Sequence, residues 1–285
     1  MEIEFKFENP THDWSILFVF KKYYEDFIQN NPDIKTTYVN SGSFQDRSPG
    51  GINSAHVLTI KNKNNGKYLL VSYWDRSEDF FLKQNGWDVD NCVEVITSSG
   101  VKPEHKVTPF SYLPYTKLFD ELSLNAKQMS DKHINKLFFR GYLYGERFSL
   151  KETGLIEITD KKIFPHQSYF EELTNNKVCL SLNGAGEICN RDLEILSARS
   201  VLLRPKLFGK FHNDFKDGHH YISFETDNDP KIQSQIIIDK FNEISNNNEL
   251  LSSVSENGYK WFQQNGTINS NVELLKKIID IKKLI

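Results

Sequence analysis

The feature that most limits the fold is an alternation of short apolar runs and helical segments in the middle of the chain. The apolar runs have the length of buried strands and lie at residues 137–139, 178–182 and 201–203. Segments with helical spacing of apolar residues also occur here, at residues 146–153, 167–173 and 190–198. Strands that alternate with helices in this way predict a Rossmann-like parallel sheet with helices on both faces.

The N-terminal part of the chain carries a second α/β pattern. A helix is predicted over residues 13–29, and strand-like runs follow at residues 57–60, 68–74 and 93–96. Several prolines and aromatic residues then crowd residues 101–122, and proline at this density interrupts regular structure. We therefore place a domain boundary in or just after this stretch.

The length of 285 residues suits two compact domains with a cleft between them. We predict a first α/β domain over residues 1–122 and a second, Rossmann-like domain over residues 123–265. The pattern from residue 231 onward is helical. Its last part, residues 266–285, is expected to be a helix that packs back toward the first domain.

The overall charge of the chain is close to neutral. There are 35 Lys and Arg against 38 Asp and Glu, a net charge of -3. Because such a chain has no global basic field, the sequence predicts no nucleic-acid partner. The cysteines are scattered, without the spacing of a disulfide framework or a zinc site. No apolar run is long enough to span a membrane and no signal-peptide pattern is present, so the expected location is the cytoplasm.

The first candidate binding segment follows the apolar run at residues 137–139. Arg140, Gly141 and Arg147 belong to a glycine-containing loop that leads into a helix. Backbone N–H groups at a helix N-terminus and arginine side chains both bind phosphate oxygens, and glycine lets the backbone come close. This segment is a candidate diphosphate cradle; the alternative is a turn with solvated arginines.

The second candidate segment has the same order of strand, glycine loop and helix. Its candidate binding residues are Asn183, Gly184, Gly186, Arg191 and Glu194. Since ligands of a doubly wound sheet bind at the carboxyl ends of its strands, the two segments are expected to converge on one crevice. Arg191 would face phosphates and Glu194 would accept hydrogen bonds from ribose hydroxyls. The alternative is an ordinary ion pair between these two side chains.

Asp75 is the candidate general base. It follows the apolar run at residues 68–74, so its carboxylate is expected to point into the cleft from the end of a buried strand. Partial desolvation there raises the pKa of a carboxyl group and makes it a better proton acceptor. The alternative is a strand-capping aspartate paired with Arg76.

The remaining candidates give weaker signals. Asp88 and Asp90 have the spacing of a metal-binding carboxylate pair, but a solvated turn explains them more simply. The histidines at residues 212–220 lack the helically spaced second pair of a metal site, so no metal is predicted. His220 and Tyr221 are candidate nucleotide contacts. No Gly-x-Gly-x-x-Gly fingerprint is present, which counts against a nucleotide-sugar epimerase.

Four stretches, in this order, resemble the family of protein O-glucosyltransferases and capsule-associated xylosyltransferases. They are residues 69–75, residues 138–141 with Arg147, residues 180–191 with the strand at 200–203, and residues 218–222. The likeness extends over about residues 65–225, which is more than half of the chain. The chain departs from the family at Asn183, where the family has aspartate, and at Trp74 and Arg76, the neighbours of the candidate base.

The resemblance implies a GT-B-like α/β fold, with two Rossmann-like domains facing a central cleft and C-terminal helices. Residues 1–122 would bind the acceptor, and residues 123–265 would bind a UDP-sugar donor. The implied reaction is an inverting transfer of a sugar to a hydroxyl of an oligosaccharide or glycan acceptor, with xylose preferred to glucose. It would need no cofactor and no metal.

In this interpretation Asp75 deprotonates the acceptor hydroxyl, while Arg140, Arg147 and Arg191 neutralise the departing diphosphate. A cytoplasmic enzyme of glycan synthesis in a microbe or a virus fits these properties. The alternative is a noncatalytic carbohydrate-binding or assembly protein that keeps a degenerate transferase fold. Affinity for UDP distinguishes the two.

Overall fold

The computed structural model describes most of the chain. The described residues are 1–8, 15–40, 57–73, 89–97, 108–109, 113–114, 116–141, 146–155, 165–184 and 187–285. Strands and helices are numbered below in chain order within these residues. None of the helices in this part of the chain is long and apolar enough to cross a membrane.

A six-stranded mixed sheet forms the N-terminal layer, with the strand order β2-β1-β3-β4-β5-β6. Its strands are β1 (Glu2–Glu8), β2 (Lys35–Asn40), β3 (Val57–Asn62), β4 (Tyr68–Ser72), β5 (Cys92–Thr97) and β6 (Thr108–Pro109). Helix α1 (Ser15–Asn30) joins β1 to its parallel neighbour β2. Apolar side chains of β1, α1, β3 and β4 form one hydrophobic core.

A four-stranded parallel sheet forms the second layer, with the order β10-β9-β8-β7. Its strands are β7 (Ile134–Phe138), β8 (Asn176–Leu180), β9 (Val201–Pro205) and β10 (Ile222–Phe224). The helices before and among these strands are α2 (Leu118–Ser123), α3 (Glu146–Glu152), α4 (His166–Asn175) and α5 (Asn190–Ser197). Because all four strands are parallel, their carboxyl ends meet at one edge of the sheet.

Both faces of the parallel sheet are covered, which explains why its inner strands β8 and β9 are largely buried and apolar. Two long helices, α6 (Pro230–Ser245) and α7 (Asn248–Asn265), follow β10. One face packs against apolar side chains of α3, α6 and α7. The other face packs against α2, α4 and α5, with Trp261 and Phe262 of α7. The predicted Rossmann-like layering is confirmed.

The C-terminal segment packs on the N-terminal sheet. Helix α8 (Ile268–Ile278) and a 3-10 turn (Ile281–Leu284) contribute apolar side chains to the core formed by β1 and α1. The Oη atom of Tyr73 donates a hydrogen bond of 3.0 Å to Asn271 Oδ1, and Asn62 Nδ2 donates one of 2.9 Å to the Leu284 carbonyl. The domain limits at residues 122 and 265 stay a prediction.

Some elements differ from the sequence prediction. Strands β2 and β10 were not predicted; β10 has only three residues and follows a histidine-rich turn, so its apolar pattern is too short to recognise. Strand β7 begins three residues before the predicted run, at Ile134. Helix α2 begins inside the proline-rich stretch, most of which lies outside the described residues.

Lys132 is a buried cation that connects two helix ends. Its Nζ atom donates hydrogen bonds to the Thr174 carbonyl at 2.7 Å, the Ala198 carbonyl at 3.0 Å and Ser200 Oγ at 3.1 Å. Thr174 lies at the end of α4, and Ala198 caps α5. Burial lowers the pKa of Lys132 to about 7, because the charged form loses solvation.

We predict that Lys132→Met lowers the free energy of unfolding by about 2 to 3 kcal/mol, because it leaves helix-end carbonyls without their hydrogen-bond donor. Between pH 7 and pH 10 the unfolded chain binds more protons at this lysine than the folded chain does, so folding releases a proton. The stability of the wild type relative to Lys132→Met should therefore rise with pH across this window. Urea unfolding of both proteins at pH 7, 8, 9 and 10 measures this difference in the free energy of unfolding. A difference that falls as the pH rises would contradict the account.

Candidate functional site

The candidate binding residues gather at the carboxyl edge of the parallel sheet. Arg140 and Gly141 come directly after β7, and Asn183 and Gly184 come shortly after β8. Helix α5 begins at Asn190, so its N-terminus faces the same edge. The two glycine-containing loops converge here, as the order of the elements predicted.

Gly141 and Arg191 are in direct contact. A Cβ atom added at Gly141 would lie 1.9 Å from Arg191 Nη2, so only glycine leaves room for the guanidinium group in this position. The Arg191 Cζ atom also lies 4.6 Å from the centre of the Phe139 ring, a cation–π distance. Phe139 is buried, and it fixes the guanidinium group against the end of the strand.

Part of the Arg191 guanidinium group is buried. Its Nε and Nη1 atoms are shielded from solvent, and neither has a hydrogen-bond partner among the described residues. Within the same residues Arg191 forms no ion pair. The Tyr169 hydroxyl is also buried and lies close to the Arg191 guanidinium group. Because a buried unpaired cation is costly, this arrangement favours binding of an anionic ligand.

Arg147 holds the second loop in place. Its side chain is buried, and Nη2 donates hydrogen bonds to the Leu182 carbonyl at 3.1 Å and the Asn183 carbonyl at 3.4 Å. The Arg147 Cζ atom lies 5.8 Å from the centre of the Phe139 ring, the ring that Arg191 also contacts. These contacts make Arg147 a residue that positions the loop.

Arg140 forms a close ion pair with α4. Its Nη2 atom lies 2.5 Å from Glu172 Oε1, and about a fifth of the Arg140 side chain is exposed, 22%. The three predicted phosphate-binding arginines therefore have different surroundings. Arg140 is paired with a carboxylate and Arg147 with backbone carbonyls. Arg191 has two buried nitrogens, Nε and Nη1, with no hydrogen-bond partner among the described residues.

Arg204 is a site residue that the sequence reasoning missed. It lies in β9 and is 1% exposed, as is its partner Asp192. Nη1 donates to Asp192 Oδ2 at 2.6 Å, Nη2 donates to Asn183 Oδ1 at 3.1 Å, and Nη2 also donates to the Glu187 carbonyl. Arg204 thus ties the start of α5 to the loop after β8. A charged residue within an apolar strand was the available signal.

Asp192 also closes the N-terminus of α5. Its Oδ2 atom accepts a hydrogen bond of 2.8 Å from the backbone N–H of Cys189, which completes a capping box. Glu194 follows two residues later and is buried. Burial lowers the pKa of the Arg191 guanidinium group, but the neighbouring Tyr169, Cys189 and Glu194 side chains raise it, and the net shift is upward.

His220 lies outside this group. It precedes β10, at the amino edge of the parallel sheet, where its ring stacks on Phe215 with centroids 5.8 Å apart. Its Nδ1 atom accepts a hydrogen bond of 2.9 Å from the backbone N–H of Lys216. Burial lowers the pKa of His220 to about 4, so the ring is neutral at pH 7 and contributes no positive charge.

The last three candidates are Tyr221, Asp75 and Gly186. Tyr221 is buried beside Phe215, with ring centroids 4.8 Å apart, and supports the sheet from the same edge as His220. Asp75 and Gly186 lie outside the described residues. Their assigned roles stay predictions that rest on the sequence.

No protein-family model matches the chain, and no curated protein sequence matches it. Solved structures of similar fold include the following two. One is an alpha-glucosyltransferase in complex with UDP and a 13-mer DNA containing a central A:G mismatch, at 9% identity and a TM-score of 0.53. The other is an alpha-glucosyltransferase in complex with UDP and a 13-mer DNA containing a HMU base, at 10% identity and a TM-score of 0.51. Each likeness covers 96% of this chain and 97% of the other.

These likenesses show the fold of the chain. It is a GT-B-like α/β fold with C-terminal helices, as predicted. The finer resemblance to the O-glucosyltransferase and xylosyltransferase family stays a prediction, since the similar structures are neither of these by name.

The prediction of a carbohydrate acceptor with no nucleic-acid partner is contradicted by the same finding. Both similar structures contain a 13-mer DNA together with UDP. The physical reason for the error is that a net charge of -3 describes the mean field of the molecule. A mean value leaves room for a local basic surface, which is sufficient to contact a phosphate backbone.

We predict that Gly141→Ala weakens binding of UDP by about 10- to 100-fold, the effect of losing one charge-assisted hydrogen bond. The new methyl group would displace the Arg191 guanidinium group without removing its charge. Because the displaced atoms are the end of a flexible side chain, the free energy of unfolding should change by less than about 1 kcal/mol. Calorimetric titration and urea unfolding measure the two effects, and unchanged UDP affinity would place Arg191 outside the binding site.

Proposed function

We propose that the protein is a glycosyltransferase that moves a sugar, most simply glucose, from a UDP-sugar to a hydroxyl group of DNA. The observation that carries the proposal is the buried Arg191 guanidinium group at the start of α5, with nitrogens that lack partners among the described residues. A diphosphate supplies the anion that this group needs. The helix N-terminus adds backbone N–H donors and the positive end of its dipole.

The residues around Arg191 have supporting roles in this proposal. Gly141 allows the close approach of the guanidinium group, and Phe139 fixes its plane. Arg147 and Arg204 hold the loop that contains Asn183 in the shape that would line the diphosphate. They are positioning residues, because their guanidinium groups are bonded to the protein itself.

The reaction then needs one base and one stabilised leaving group. The base accepts the proton of the acceptor hydroxyl as its oxygen bonds to the anomeric carbon of the sugar. The bond between that carbon and the diphosphate oxygen breaks, and UDP leaves with the electron pair. Arg191 stabilises the negative charge that develops on UDP, in the place that a divalent cation takes in other enzymes. Asp75 is the proposed base, on the evidence of its sequence position alone.

The fold comparisons support the choice of donor and acceptor. The two similar structures are named alpha-glucosyltransferases and contain UDP and DNA, so glucose replaces xylose as the proposed sugar. The alternative of a noncatalytic protein predicts no turnover of UDP-glucose. Incubation with UDP-glucose or UDP-xylose and duplex DNA carrying hydroxymethylated bases, with mass spectrometry of the DNA, tests donor and acceptor together.

We predict that Arg191→Met lowers kcat/KM for UDP-glucose by roughly 30- to 900-fold, which corresponds to about 2 to 4 kcal/mol of lost transition-state stabilisation. The matched control is Arg199→Met, at the other end of α5, where the arginine pairs with Glu256. This control should keep the wild-type kcat/KM. Because the proposed reaction uses no metal, EDTA should leave the activity of the wild type unchanged. Equal losses in both variants would mean that the effect is not specific to Arg191.

We predict that Asp75→Asn leaves the affinity for UDP within about threefold of the wild type but lowers kcat by at least about 100-fold, the usual range for a general base. Calorimetry gives the affinity and a UDP-release assay gives kcat. Near-normal turnover of Asp75→Asn would remove this residue from the mechanism.

The configuration of the new linkage gives an independent test of the role of Asp75. Attack assisted by a single base inverts the anomeric carbon, so an α-linked donor should give a β-linked product. Proton NMR of the glycosylated product distinguishes the two anomers. An α-linked product, the configuration in the names of the similar structures, would show that Asp75 is not acting as the base of an inverting transfer.

A further inference from the structure

The segment that follows β9 presents alternate side chains to solvent. In residues 206–212, the sequence KLFGKFH, the exposed side chains are Lys206, Phe208, Lys210 and His212. The side chains between them, Leu207 and Phe211, are partly buried and pack against the core under α5 and α7. Phe208 is 75% exposed, and no other aromatic side chain of the described residues is among the large exposed hydrophobic ones. We call residues 206–212 the outer segment.

The backbone of the outer segment is held in a defined position. The Glu187 carboxylate accepts hydrogen bonds from the backbone N–H of Phe208 at 3.3 Å and of Gly209 at 2.8 Å. The backbone N–H of Lys206 donates a bond of 3.2 Å to the Phe224 carbonyl at the end of β10. The Phe208 ring is therefore exposed on a backbone that hydrogen bonds hold in place. A backbone that is already fixed loses less entropy when a ligand binds to the ring.

The outer segment is continuous with the proposed donor site. Asn183, which is bonded to Arg204, lines a small cavity together with Glu187, Lys206 and Phe208. The cavity lies at the carboxyl ends of β9 and β10, while Gly141 and Arg191 lie at the ends of β7 and β8. The outer segment thus occupies the other end of the same sheet edge.

The charges of the outer segment are available to an anionic partner. Lys210 forms no ion pair in the part of the chain that the structure describes. Lys206 lies 3.4 Å from Glu225, but both side chains are largely exposed, and an exposed pair of this kind is worth little and exchanges readily. The Glu187 carboxylate is occupied by backbone N–H groups. Two lysines therefore flank the exposed ring.

We propose that the outer segment is a binding surface for the DNA strand, with the Phe208 ring stacked on an unpaired base and Lys206 and Lys210 on the flanking phosphates. An exposed aromatic ring between cations is the arrangement that binds single-stranded nucleic acid. A neutral glycan would use the ring but not the lysines. The proposal rests on the proposed function, because it assigns the acceptor side of that reaction to residues 206–212.

The first test is Phe208→Ala, measured by fluorescence anisotropy with a labelled 13-mer DNA, both single-stranded and as a duplex with one mismatch. We expect binding to weaken by about 5- to 150-fold, the range for one base stacked on an aromatic ring. The matched control is Leu124→Ala, since Leu124 is 76% exposed but lies beyond the end of α2. It should bind DNA like the wild type.

The second test is the salt dependence of DNA binding by Lys210→Ala. Loss of one phosphate contact should reduce the slope of log K against log salt concentration by about 0.7 to 0.9. Lys231→Ala, an exposed lysine of α6, is the control and should keep the wild-type slope. UDP affinity is measured on every variant, because a misfolded protein would lose both ligands.

The outcomes separate this proposal from the proposed function. If the wild type binds UDP and DNA but Phe208→Ala and Lys210→Ala bind DNA unchanged, the outer segment is not the DNA surface. If the wild type binds no DNA, or if Phe208→Ala loses only affinity for a neutral oligosaccharide such as maltohexaose, the proposal is likewise overturned. Failure of the wild type to bind UDP or to transfer sugar overturns the proposed function, whereas the DNA measurements still decide the role of the outer segment.

Discussion

The buried pair of Arg204 and Asp192 is the interaction on which the candidate site depends. Its two side chains are each 1% exposed and 2.6 Å apart. Removing a charged pair from water is costly, and here further hydrogen bonds to Asn183 and Glu187 compensate the guanidinium group. One arginine thereby sets the start of α5 and the loop after β8. Through Glu187, whose carboxylate binds two backbone N–H groups of the outer segment, it also sets the neighbouring surface.

Arg191 stands in contrast to Arg204. Both guanidinium groups are buried at the same sheet edge, but within the described residues only Arg204 has a carboxylate partner. The fold therefore contains one cation that is satisfied by the protein and one that an external anion would satisfy. Gly141 and Phe139 contact the second cation through the bare backbone and the ring. In the proposed function, this division leaves Arg204 to hold the site and Arg191 to bind the phosphate.

The sequence predicted the layering, most helices and the convergence of the two glycine-containing loops, because these follow from local apolar periodicity and from parallel connectivity. It could not predict how each arginine is used. Arg140, Arg147 and Arg191 look alike in a sequence, but their partners lie on α4, on the loop after β8 and at Gly141. Such partners are set by tertiary packing. Strand β10 was not predicted because its three residues are too few to show a pattern. The prediction of no nucleic-acid partner was wrong because net charge is an average that hides local surfaces.

The central claim is that the unmatched charge of Arg191 binds the diphosphate of a nucleotide. The most direct measurement is calorimetric titration of the wild-type protein with UDP and with uridine under the same conditions. If the diphosphate supplies the missing anion, UDP should bind about 100-fold more tightly than uridine, the effect of two charge-assisted hydrogen bonds. Equal affinity for UDP and uridine would contradict the account.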